Sequence, residues 1–138
     1  MTTPAGDGEL MERALEYVSE SVGDVVPVVL ERYYHYHPEA EKVFRDFGFE
    51  EYQRMAQSMV DEVLHCIITW ADEPAEVKSV IAETVPHHRS LKIPDQLLIT
   101  LLDVVLDVLV TGLPTGAGQE RALLERVGLE LKAEIEHA

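Results

Sequence analysis

The densest chemistry in the chain lies in Val85-Pro86-His87-His88-Arg89-Ser90-Leu91-Lys92-Ile93-Pro94. Neutral imidazole is a strong ligand for iron and zinc, and these neighbouring histidines fall between an amphipathic stretch and a long apolar one. Adjacent helical positions point about 100° apart, so both rings cannot serve one face of a metal. His88 continues the stripe Val77, Ile81, Thr84, and Leu91 follows one turn beyond it. Choosing His87 instead turns Glu83 inward, and an unpaired buried carboxylate is costly. His88 is the expected ligand and His87 the alternative. Other candidates carry less. His35 and His37 diverge on a helix and read as solvated, while His65 and Cys66 read as packing residues. Met55 and Met59 read as core. No phosphate loop, two-cysteine zinc pattern or nucleophile–base pair is present.

Every element that could position these groups is helical, since apolar residues recur at helical spacing and period-two alternation is missing. Leu10, Met11, Ala14, Leu15, Val18 and Val22 make a first stripe, ended by Gly23. Asp24 is placed to cap a second helix with Pro27 in its first turn, and its inner face is Val26, Val29, Leu30 and Tyr33. Tyr34 and Tyr36 point outward in that register. His37-Pro38 stops the helix, because a residue before proline avoids the α region. A short helix from Pro38 to Phe44 leads to a corner at Gly48, and a long one runs from about Phe49 to Ala71. Pro74 starts the next at its first helical position, and Pro86 disturbs its bonding near the end. Pro94 opens a fifth long helix with Gln96, Thr100, Asp103, Asp107 and Thr111 as its polar face. A loop from Gly112 to Gly118 precedes a last helix with Leu123, Leu124, Val127, Leu131 and Ile135 inward. The expectation is an all-α chain of about six long helices, forming one domain over residues 1–138.

Composition narrows the partners. The chain has 138 residues, 26 acidic against 11 basic, and a net charge of −15. No basic stripe can replace the counterions of nucleic acid or of an anionic membrane, so neither is an expected partner. The longest apolar run, Leu97 to Leu113, is broken by Thr100, Asp103 and Asp107 and is short for a membrane span. One cysteine allows no internal disulfide, which suits a reducing compartment; with no signal pattern at Met1 to Gly8, a cytoplasmic protein is expected.

The order of these features resembles the globin superfamily, in particular single-domain bacterial haemoglobins. His37-Pro38-Glu39-Ala40-Glu41-Lys42-Val43-Phe44 resembles the pattern in which a proline starts a short helix and a phenylalanine six residues on stacks on haem. His88-Arg89-Ser90-Leu91-Lys92-Ile93 resembles the proximal segment of that family, with a long apolar helix after it. The resemblance spans nearly the whole chain. It implies a globin-like fold, haem b as cofactor, and iron held by one imidazole. His87 stays open as the ligand, because its separation from Lys92-Ile93-Pro94 is similar to that in animal myoglobins.

Further roles follow from the resemblance. Phe44 takes the haem-stacking position, and Thr84, Leu91, Ile93 and Leu97 take the proximal wall. Arg89 is a candidate partner for the haem propionates. Leu30, eight residues before Pro38, stands where many bacterial globins carry a distal tyrosine. Counting back from His88 places Ala56 opposite the iron with Val60 one turn on, flanked by Gln53 and Gln57 as possible hydrogen-bond donors. A register with Gln57 at that site brings Asp61 into the pocket, which is unfavourable. The implied function is reversible binding of oxygen or another diatomic gas, for storage, transport or sensing. A nitric-oxide dioxygenase- or peroxidase-like activity needs an external reductase. The alternative is a haemless or sensory globin-fold module acting through a protein partner. Either reading allows a monomer or a homodimer.

Overall fold

The computed structural model describes residues 6–46 and 49–138, except for the side chains of 43, 44 and 49–52. Seven helices follow in order: α1 Asp7–Ser21, α2 Val25–Tyr36, α3 Pro38–Arg45, α4 Phe49–Trp70, α5 Pro74–Ser90, α6 Asp95–Thr111 and α7 Gly118–Glu136. No strand occurs among the described residues. None of these helices is long and apolar enough to cross a membrane. The all-α expectation therefore holds, as do most helix limits read from capping and proline signals.

Local chemistry sets those limits. The Asp24 carboxylate accepts a 3.0 Å hydrogen bond from the Val26 backbone N–H and so caps α2. His37, held off the α region by Pro38, ends α2 at φ −132°. Pro74 occupies the first turn of α5, where its missing N–H leaves no bond unmade. Pro86 behaves differently from expectation. Helix α5 runs through it to Ser90, so both histidines lie in an ordered last turn. The proline forfeits only the one bond to the carbonyl four residues back, and its exposed ring finds room on the solvent side.

One continuous apolar cluster joins all seven helices, α3 through Ala40. Helix α6 is its spine, with Leu101, Leu102, Val104, Val105, Val108 and Leu109 all buried. Gly128 of α7 meets α6 so closely that a Cβ there would stand 2.6 Å from Leu106 Cδ1. Polar groups then fix the register of the helices. Tyr33 is buried and its hydroxyl donates to the Leu97 carbonyl at 3.0 Å, tying α2 to α6. Burial, with the Glu39 charge second, pushes that phenol well above its ordinary pKa, so it stays protonated as a donor. Trp70, at the end of α4, donates from Nε1 to Glu130 Oε2 of α7 at 2.6 Å, and Lys78 Nζ of α5 lies 6.0 Å from its ring centroid. The polar stripe of α6 is more engaged than its sequence suggests, since Asp107 pairs with Arg32 and Asp103 with Lys132.

Two outward assignments need correction. Tyr34 is half-buried and packs on the core, while Tyr36 is exposed as expected. His37 is not solvated. Its Nδ1 lies 2.6 Å from Glu39 Oε1 and its Nε2 3.0 Å from Thr100 Oγ1, so the ring joins α2, α3 and α6.

Candidate functional site

The last turn of α5 distinguishes the two histidines. His88 is half-buried, and its Nδ1 lies 2.8 Å from the Thr84 carbonyl oxygen. A carbonyl only accepts, so Nδ1 carries the proton. Whenever the ring is neutral, its lone pair is therefore at Nε2, which has no hydrogen-bond partner among the described residues. His87 is exposed and stands edge-on to His88, with centroids 6.1 Å apart and planes at 84°. Among the described residues, no hydrogen bond orients the His87 ring.

The backbone after His88 is equally defined. Ile93 N–H donates to His88 O at 3.0 Å and Lys92 N–H to Arg89 O at 3.0 Å, the paired bonds of a Schellman helix end. Lys92 occupies the left-handed position of that motif at φ 61°, where glycine is usual and a side chain is strained. Arg89 is exposed and does not stand free. Its Nε and Nη2 bond both carboxylate oxygens of Asp95, at 2.7 to 3.3 Å, and its Nη1 donates to Ala138 O at 2.7 Å. The mutual hydrogen bonds raise the Arg89 pKa and lower that of Asp95.

One turn before His88, Thr84 lines an apolar cleft bounded by α4, α5, α6 and α7. Val63, Ile81, Leu98, Leu131 and Ile135 are among its apolar walls. Its cavity volume is about 80 Å³, or about 530 Å³ when the space of its open mouth is included. Glu62 and Cys66 are its ionisable residues. Burial, reinforced by the Glu62 charge, pushes the Cys66 thiol up to about 11. Against an ordinary thiol near 9.0, that leaves roughly a hundredfold less thiolate near neutrality. Alkylation of Cys66 with iodoacetamide at pH 7.5 should therefore run about a hundredfold slower than that of a free thiol, and an ordinary rate would contradict the buried setting.

The remaining expected site residues separate into groups. Leu30, Gln53, Ala56 and Gln57 line a groove of about 760 Å³ between α2 and α4, beside Pro27 and Tyr34. That groove shares no lining residue with the α4–α7 cleft. Val60 is fully buried in the core. Leu91 is 58% exposed at the end of α5, whereas Ile93 and Leu97 are half-buried. Phe44 lies on α3, and its side chain is outside the described residues.

Sequence reasoning missed Glu62, Val63 and Cys66 as the α4 side of the cleft. Helical spacing predicts an inner face of α4 through Ala56, Val60, Val63, Leu64, Ile67 and Trp70, and these are buried or half-buried; the flank carrying Glu62 and Cys66 lies beyond that stripe. The signal that could have found them is the three- and four-residue spacing of 59, 62, 63 and 66. Among the described residues, no group of three or more His, Cys, Asp or Glu converges to hold a bare metal ion. A single imidazole suits a metal that arrives with its other ligands already supplied. Comparison with family models, curated proteins and solved structures returns no match.

Proposed function

We propose that this chain is a globin-like haem protein in which His88 is the one protein ligand to iron and a diatomic gas is the exchangeable ligand. The observation that carries this reading is the His88 ring, with Nδ1 tied to the Thr84 carbonyl and Nε2 left as a lone-pair donor. Metal-ligating histidines are oriented in the same way, by a hydrogen bond from the nitrogen that does not ligate. The donor set fits the group: one oriented imidazole, placed one turn from an apolar cleft, with no competing cluster of ligands among the described residues.

Haem b, when bound, supplies reversible gas coordination, and the chain supplies its setting. Thr84 O fixes the tautomer and the azimuth of His88. Val63, Ile81 and Leu98 give the adjoining cleft apolar walls. Gln53 and Gln57 are exposed in the α2–α4 groove, so neither is assigned as a donor to bound gas. Redox turnover in this reading draws electrons from an external reductase.

Two observations favour a second reading, a haemless globin-like module that acts through a protein partner. The Glu62 carboxylate lines the cleft, and little of the cleft is enclosed. Haemin titration separates the two. A Soret band should grow and saturate at one haemin per chain, and the dithionite-reduced protein should give a carbon monoxide difference spectrum. A spectrum that stays that of free haemin at stoichiometric protein selects the haemless module.

A further inference from the structure

The turn after His88 contains a conflict. Lys92 holds a backbone conformation disfavoured for any residue with a Cβ, and unwinding the last turn of α5 would relieve it. That same turn carries the His88 ring and the carbonyl that receives the Ile93 N–H. The two Schellman bonds oppose the unwinding, and a side-chain contact adds to them. The bidentate contact from Arg89 to Asp95 spans the turn, joining the last turn of α5 to the first residue of α6. The third bond of Arg89, to Ala138 O, fastens the same corner to the chain just after α7.

We infer that Arg89 and Asp95 are positioning residues whose contact closes the α5–α6 turn over the strained Lys92 and thereby keeps the His88 ring aimed, with Nδ1 on Thr84 O. This replaces the role that resemblance gave Arg89 as a partner of haem propionates. Its guanidinium is committed to the protein itself. The inference rests on the haem reading only for the use made of the aimed ring, since the clasp itself is a property of the haem-free chain.

The test is nitrogen NMR of the His88 ring in haem-free protein at pH 8, which separates the Nδ1–H from the Nε2–H tautomer. Wild type should hold the Nδ1–H form with slow exchange of that proton. Asp95→Ala should lose tautomer preference and exchange the proton about fivefold faster, the scale of one well-formed exposed ion pair, and Asp95→Glu should restore both. Raising salt to about 1 M, where the screening length is roughly 3 Å, should move wild type in the same direction without any substitution. An unchanged tautomer and exchange rate in Asp95→Ala and in high salt overturns the clasp; if Asp95→Ala fails to fold, the salt series alone decides. Haemin titration of the same variants is read separately. A changed ring with unchanged haemin affinity keeps the clasp and removes His88 as iron ligand.

Discussion

Replacing His88 with alanine should lower haemin affinity by at least about a hundredfold and abolish the imidazole-ligated spectrum, whereas His87→Ala should leave affinity within a factor of about two and the spectrum unchanged. Removing groups that merely support a metal ligand typically costs 10- to 100-fold, so removing the ligand itself should cost no less. The contrast between neighbours is the informative part. Both are histidines in the last turn of one helix, but only His88 is half-buried with a ring nitrogen committed to a backbone carbonyl. His87 is exposed, and its ring meets only the His88 ring edge. Absorption titration and electron paramagnetic resonance of the ferric forms measure the difference. Loss in His87→Ala with retention in His88→Ala would reverse the assignment. Exogenous imidazole should restore the spectrum of His88→Ala if the cavity survives the substitution.

Replacing Leu131 with alanine should destabilise the fold by about 3 kcal/mol, the middle of the range for deleting a buried leucine side chain. Leu131 is 1% exposed, sits in the central cluster, and also forms part of the cleft wall. Both the lost transfer energy and the remaining void contribute, because α6 and α7 are already in close contact at Gly128 and cannot collapse freely. For a chain of this length the midpoint of thermal unfolding should fall by roughly 10 °C. Urea unfolding should show the same loss through a lower midpoint at unchanged slope. A loss below about 1 kcal/mol would mean that α7 is not packed against the cluster as described.

The helical architecture was legible because several independent signals agreed. Asp24 as a cap, Pro38 and Pro74 at helix starts and the apolar spacing of Leu123, Leu124, Val127, Leu131 and Ile135 each correspond to an observed element. The site was legible only in part. Helical spacing placed Thr84 and His88 on one side of α5, but it could not show that Nδ1 reaches the Thr84 carbonyl. Pro86 argued for a frayed end, and the helix instead absorbs it by losing a single bond. Helix α4 was legible in its core face, through Ala56, Val60, Ile67 and Trp70, but not in the flank of Glu62 and Cys66, whose place on the cleft depends on how α5 and α7 pack. Lys92 could not have been foreseen, because lysine gives no local hint of a left-handed turn; that conformation follows from the bonds on either side of it. His37 likewise needed Thr100, 63 residues away, to become a joint.

Trp70 gives the molecule an optical gauge. It is the chain's one tryptophan, and it stands where α4, α5 and α7 meet, bonded to Glu130 and with Lys78 near its ring. Its fluorescence therefore comes from one place, the end of the bundle that borders the cleft helices. Any event that parts α4 from α7 hydrates the indole and breaks its bond to the carboxylate, shifting emission to the red. Unfolding, ligand entry and partner binding can each be followed there without attaching a label.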